Sequence, residues 1–471
     1  MTTTDPGVAA DVAATLQPGF AGSTVPAWVE RAHAGGLVSL CLYGDNVTAG
    51  AGLGALTADL HARLPGVLLA TDEEGGDVTR VHYPGGSTVP GNAVLGRLDD
   101  PALTRRTAAA IGAELAALGI GLDLAPSVDV NSSPENPVIG VRSFGDDATR
   151  VARHSAAFVG GLQGAGVAAC AKHFPGHGDT VVDSHHGLPR VDVPLDVLRE
   201  RELVPFRAAV EAGVRTVMTS HIIVAALDAE RPATFSPTVV RVLRDELGFD
   251  GVLVSDALDM AGASAGTGIP EAAVRALAAG VDLLCLGSNT SELRYAAVHD
   301  AVVDAVGSGR LPRERVAEAA ARVRALASDV ARPPLGGEPP DAPLDTSTIA
   351  SAFRLSDTAV RWLAATGPVA VVQVGSVANL AVGDVSWGPA GLGAAVAEAD
   401  VHAGDRVAVV GRAIGNDHPA HATAERLRAT GHDVLLVECG WPRSGADLEV
   451  FGGSPAVARA LLAVLRGEVT P

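Results

Sequence analysis

Residues 167–180 read Val167-Ala168-Ala169-Cys170-Ala171-Lys172-His173-Phe174-Pro175-Gly176-His177-Gly178-Asp179-Thr180. The first five are small and apolar, the composition of a strand buried on both faces. Pro175, Gly176 and Gly178 then break regular structure, so the polar residues fall on a loop at the C-terminal end of that strand. Asp183-Ser184-His185-His186 follow closely. In a (β/α)8 barrel, that end of the strands carries the chemistry.

Similar short apolar runs recur at 37–43, 66–70, 121–126, 216–220, 251–255 and 281–286, separated by amphipathic stretches at 100–118, 195–211, 237–247 and 270–279. Alternation of this kind predicts right-handed βαβ units and a parallel sheet. Together with 167–171 these runs make seven strands, and the weak stretch 15–22 is the spare candidate for an eighth. A doubly wound open sheet would also accommodate seven. The polar residues favour the barrel. Asp72, Asp129, Lys172, His173, Ser220-His221 and Asp256 lie at or just beyond strand ends, and a closed ring gathers those ends around one mouth.

The expected fold class is therefore α/β, a (β/α)8 TIM-type barrel over residues 1–331. A Pro/Gly-rich linker at 332–345 follows, then a smaller α/β sandwich domain at 346–471 with strands at 369–374, 406–410 and 433–437. Glycines at Gly388, Gly391, Gly393, Gly411 and Gly415 spell no nucleotide-binding fingerprint and read as turns.

With 47% apolar residues and 3% aromatics, the 471-residue chain suits helices packed on parallel strands. A net charge of -19 argues against nucleic acid and anionic membrane surfaces as partners. No apolar run approaches the roughly 20 residues of a membrane span, and the first 20 residues lack a secretory pattern. Cys41, Cys170, Cys285 and Cys439 sit in apolar runs without ligand spacing, as buried thiols in a reducing cytoplasm would.

Each polar constellation has a chemical reading and a plain one. Asp256 ends the run Gly251-Val252-Leu253-Val254-Ser255, where a fixed backbone could aim a carboxylate nucleophile; it could equally cap the next helix. Lys172 and Arg142 could keep such a carboxylate ionised. On one loop, Asp183 could orient His185 for acid/base work, or both could be solvated. His173, His177, His185 and His186 with Asp179 and Asp183 raise a metal site, although no HExxH or CxxC spacing accompanies them. Asp72 suits bidentate bonding to sugar hydroxyls, with Arg80 beside it, or is a helix-terminal charge.

Taken together, the segments ATDEEGG…R, NPVIGVRSFG, AKHFPGHGDT…DSH, SHI…ALD and GVLVSDALDM resemble glycoside hydrolase family 3, in its bacterial β-N-acetylglucosaminidase (NagZ-like) branch of two-domain type. They span roughly residues 66 to 290, and KHFPGHG with the following DSH is the most specific. The resemblance implies that Asp256 is the nucleophile and His185 the acid/base, oriented by Asp183. It further implies that Asp72, Arg80, Arg142, Lys172, His173 and His221 hold the sugar. Asp77 stands where many relatives carry arginine, and Ala257 where many carry a second aspartate.

The expected function is a cytoplasmic, retaining exo-acting β-N-acetylglucosaminidase with no metal and no cofactor. Its substrate would be a small GlcNAc-containing glycoside from muropeptide or chitin-derived fragments. A neutral histidine base would not repel an anion, so phosphate is a possible acceptor and a phosphorylase is an alternative. A broader β-glucosidase, a metal-dependent hydrolase and a non-catalytic sugar-binding protein are the others, and the oligomeric state is open. Truncation after Arg332 is expected to leave the site residues in place.

Overall fold

The computed structural model describes residues 5–48, 52–180, 188–264, 266–330, 344–376, 381–443 and 445–471. Its first half contains the parallel strands β1 (Leu16–Gln17), β2 (Ser39–Cys41), β3 (Leu68–Thr71), β4 (Leu122–Asp123), β5 (Ala168–Phe174), β6 (Thr216–Thr219), β7 (Val252–Val254) and β8 (Leu284–Cys285). Strands β2 to β7 form one sheet in chain order, and β1 pairs with β8. Two contacts close the ring: a parallel bridge between Val254 and Leu283, and a 3.1 Å bond from Cys41 N to Pro18 O. The weak stretch at 15–22 thus supplies the eighth strand, and the fold is a (β/α)8 barrel.

Period-two alternation sorts the side chains. Leu68, Ala70, Leu122, Ala168, Cys170, Val252 and Val254 pack inside the ring, while Leu69, Ala169, Ala171 and Leu253 face the surrounding helices. Val323 and Leu326 of the helix Arg313–Asp329 join the inner cluster. Around the ring, helices such as Pro101–Ala117 and Ala148–Gly164 are capped by Asp100 and Asp147, each accepting from the first backbone N–H groups. All four cysteines are buried and free.

The second half carries a five-stranded sheet of β9 (Arg354–Leu355), β10 (Val369–Gln373), β11 (Arg406–Gly411), β12 (Val434–Glu438) and β13 (Leu448–Glu449). Its order is β9-β13-β12-β11-β10, with only β9 antiparallel. The three expected strands form its middle and one edge. The two added strands are two residues each, too short to show as a sequence pattern. Helix Pro419–Ala429 covers one face through Ala424 and Leu427, and helix Pro455–Leu465 the other through Val457 and Leu461, making an α/β sandwich. The expected linker lies almost wholly outside the described residues. Among those described, no helix is long and apolar enough to cross a membrane.

The two halves meet at the C-terminal mouth of the barrel. Val78 and Tyr83 pack against Val382 and Val385. Asp77, buried, accepts from Gly453 N at 2.8 Å and pairs with Arg412 at 3.0 Å. Asp77 is thus an interdomain anchor.

Candidate active site

The ends of β2, β3, β5 and β6 and the loops after β7 and β8 line a cavity of about 290 Å³. Tyr43, Leu124, Met218 and Cys285 supply apolar wall, and Asp72, Glu74, Arg142, Lys172, His173 and Asp256 the charged and polar groups. A cavity this size, apolar with a few convergent polar groups, suits one small polar ligand.

Lys172 is the centre of the network. It lies inside β5 rather than on the loop beyond it, so its side chain rises from a fixed backbone and is almost fully buried. Its Nζ meets Asp72 Oδ1 at 2.7 Å and Glu74 Oε1 at 2.8 Å. Arg142 grips the same Glu74 with Nε at 2.9 Å and Nη2 at 2.7 Å, a bidentate fork. Burial alone would push the Glu74 carboxyl up, yet Arg142 and Lys172 outweigh it and hold it below the usual range. For Lys172, burial favours the neutral amine, but Asp72 and Glu74 raise its pKa above the ordinary value. Three buried charged side chains are therefore fixed in place beside Asp72, which lines the cavity.

His173 is oriented from behind. Its Nδ1 lies 2.7 Å from Asp129 Oδ2, and its Nε2 is 3.3 Å from Arg142 Nη2. Asp129 also accepts from His177 N at 2.7 Å and from Ser127 Oγ at 3.0 Å. Burial opposes its ionisation, but His173 and these bonds hold Asp129 down at about 2. Such a carboxylate fixes the ring orientation of its histidine.

The glycines of the 175–180 loop have steric reasons. A Cβ on Gly178 would sit 1.7 Å from Val130 O, and one on Gly176, at φ +127°, would meet Glu202 Oε2 at 2.7 Å. This close seating carries His177 to the cavity wall, where Nδ1 bonds Thr180 Oγ1 at 2.7 Å. Burial, with His173 nearby, pushes His177 down to about 4, so it is neutral near pH 7.

Asp256 stands just past β7 and lines the cavity; its Oδ1 accepts from Ala257 N at 2.8 Å. His221 lies near the backbone that carries Asp256. It is buried beside the cavity rather than lining it, with Nδ1 2.9 Å from Thr234 Oγ1 and Nε2 3.0 Å from Ala257 O. Its contact is with the backbone that follows Asp256.

Arg80 lines the cavity, and its Nη2 donates to Ala381 O at 2.7 Å and Nη1 to Val382 O at 3.2 Å, both in the second half of the chain. Ala381 itself lines the cavity. Truncation after Arg332 would remove both of these acceptors from the Arg80 guanidinium.

Asp183 and His185 lie outside the described residues, as does His186. Among those described, no group of three or more His, Cys, Asp or Glu side chains could hold a metal ion. The network also contains residues that sequence reasoning did not assign to the site. Glu74 was hidden in the run Asp72-Glu73-Glu74, where its neighbour Glu73 turns the other way to bind Thr79 Oγ1 and the N–H groups of Arg80 and Val81. Asp129 was visible as a strand-end carboxylate, but its histidine partner was not. Ala381 carries no sequence signal.

A closed ring of strands with a charged, sugar-sized cavity at its C-terminal mouth defines a TIM-type barrel protein with its site at the usual end. Residues 19–326 match the glycosyl hydrolase family 3 N terminal domain, and the chain belongs to glycosyl hydrolase family 3. It is 37% identical over 325 residues to beta-hexosaminidase A of Pseudoalteromonas piscicida, covering 63% of this chain and 54% of that protein. The chain thus spans about half the length of that relative. A family 3 β-N-acetylglucosaminidase structure from Paenibacillus sp. superposes with a TM-score of 0.83 at 31% identity, over 98% of this chain and 97% of the other. A β-N-acetylhexosaminidase from Beutenbergia cavernae gives 0.61 at 31% identity, over 69% and 100%.

Proposed function

We propose that the chain is a retaining exo-β-N-acetylglucosaminidase that removes a terminal β-linked GlcNAc from muropeptide or chitin-derived fragments. One observation carries this reading: Asp256 lines the same single-ring cavity as the Asp72–Lys172–Glu74–Arg142 network. Asp72, Lys172, Arg142 and His173 hold the hydroxyls of one sugar. Asp256 attacks its anomeric carbon while His185, oriented by Asp183, protonates the departing oxygen. Water, deprotonated by His185, then releases the sugar with its β configuration retained. His221 acts through the Ala257 carbonyl to fix the backbone behind Asp256. Relatives named beta-hexosaminidase and β-N-acetylglucosaminidase support the sugar class. Buried free thiols support a reducing, cytoplasmic setting.

The test is hydrolysis of p-nitrophenyl β-GlcNAc and the matching β-glucoside, each with and without phosphate. Turnover of the GlcNAc substrate alone, independent of phosphate, is expected. Turnover of both sugars would show a broader β-glucosidase. Sugar 1-phosphate as product would show a phosphorylase, and silence from folded protein would leave a sugar-binding role.

A further inference from the structure

A second cavity, of about 390 Å³, lies between the barrel and the sandwich. Its barrel wall is the segment around 136–142, which also bounds the first cavity, so Ile139 and Arg142 line both. Its other wall is built just past the C-terminal ends of β10, β11 and β12, from Ser376, Arg412, Trp441 and Arg443. His418, at the start of helix Pro419–Ala429, completes it. The crevice outside the carboxyl ends of parallel strands is where open α/β sheets bind ligands.

The charge there runs against that of the chain. Three arginines and one aspartate line the cavity, whereas the whole sequence has 54 acidic and 35 basic residues. Arg142 is neutralised by Glu74, and Arg412 by Asp77. Arg443 is held less firmly: its ion pair with Glu135 spans 3.5 Å, and the Glu135 side chain is 63% exposed. A pair of that length with its carboxylate in solvent is weak and yields readily to a better anion. The other nearby carboxylate, Glu438, is engaged by the N–H groups of Ala413, Ile414 and Gly440.

His418 accepts from Ala420 N through Nδ1, and burial favours its neutral form, which leaves Nε2 as a donor. The positive end of an 11-residue helix adds to this field. Trp441 is half-buried, with Phe451 packed edge-on at 6.4 Å between centroids. In a chain with four tryptophans, this one lines the cavity and supplies it with aromatic apolar surface.

We infer that this interdomain cavity is a second ligand site, for a monosaccharide-sized molecule carrying one oxyanion, with Arg443 meeting the anion and Trp441 the ring. It is separate from the reaction at Asp256. A ligand there touches both halves of the molecule and the outer side of the segment that holds Arg142.

The test is calorimetric titration of the full chain with glucuronate and with glucose 6-phosphate, with excess GlcNAc present to fill the barrel cavity. One of the two anionic sugars is expected to bind once per chain, and which one binds distinguishes carboxylate from phosphate as the source of the anion. Arg443→Ala should weaken that binding by at least about tenfold, and Arg443→Lys by less, since charge is kept but the planar fork is lost. Trp441→Ala should weaken it and remove the accompanying fluorescence change. Both residues line the cavity, and an unchanged melting temperature shows that the three variants fold. Absence of binding by either anionic sugar overturns the inference. So does binding displaced by GlcNAc, or binding unaltered in folded Arg443→Ala.

Discussion

The guanidinium of Arg80, on the barrel, donates to the carbonyl oxygen of Ala381, in the sandwich half, at 2.7 Å. Both residues line the cavity that also contains Asp256. The second half of the chain is therefore part of the site wall, and a set of contacts some distance from the reacting groups holds it there.

Arg80→Ala should test that wall directly. We expect kcat/KM for p-nitrophenyl β-GlcNAc to fall roughly tenfold, the worth of about one charge-assisted bond, with the melting temperature nearly unchanged. Wild-type kinetics in the variant would show that the bridge to Ala381 and Val382 is idle.

Asp77→Ala removes the anchor itself. Arg412 would keep its charge without its buried partner, and Gly453 N would lose its acceptor. Breaking a buried pair from one side costs about 3–5 kcal/mol. Urea denaturation should show a loss of that order, and restoring part of it with Arg412→Met in the same chain would confirm the pair as the cause. A loss below about 1 kcal/mol would mean that apolar packing alone docks the halves.

Glu74→Gln leaves Lys172 with Asp72 as its carboxylate, and Arg142 with only the more distant charges of Asp129 and Asp72. Both cations are buried, so we expect a destabilisation of about 3 kcal/mol and at least a hundredfold drop in kcat/KM. Retention of activity would remove Glu74 from the machinery that places Lys172.

Asp256→Asn should lower turnover by roughly 10⁴-fold, since an amide cannot form the glycosyl-enzyme bond, while circular dichroism and melting stay as in the parent. Substantial residual activity would reassign the nucleophile.

Glu202, packed beneath Gly176, should make stability depend on pH. Burial, against the opposing charge of Arg201, pushes its carboxyl from an ordinary 4.5 up to about 7. Between those values the folded chain keeps a proton that the unfolded chain has released, so this contribution falls as pH rises through the window. The full effect is up to about 3 kcal/mol. Glu202→Gln should flatten the stability profile between those limits relative to the parent. Parallel profiles for the two proteins would show that Glu202 is ionised throughout.

Much of this molecule is written locally. The runs at 66–70, 167–171 and 251–255 specify buried strands because small and branched apolar residues suit a sheet covered on both faces. The polar residue that ends each run specifies the mouth, and even the two-residue β1 was visible as a weak stretch. Asp72, Lys172, His173 and Asp256 were legible for that reason: a strand end fixes where its side chain goes. Partnership was not legible. Glu73 and Glu74 are adjacent and chemically alike, yet one pins a turn while the other bridges Lys172 and Arg142, a choice made by residues about 70 to 100 positions away. Nor could composition show that His221 supports the backbone after Asp256 or that Ala381 completes the cavity. The sequence by itself determined the barrel, its sandwich and the residue types at the mouth, because periodicity and strand ends are short-range properties. Only the tertiary structure decided which charges pair and which half of the chain closes the site, because burial and Coulomb energy depend on distance in space rather than along the chain.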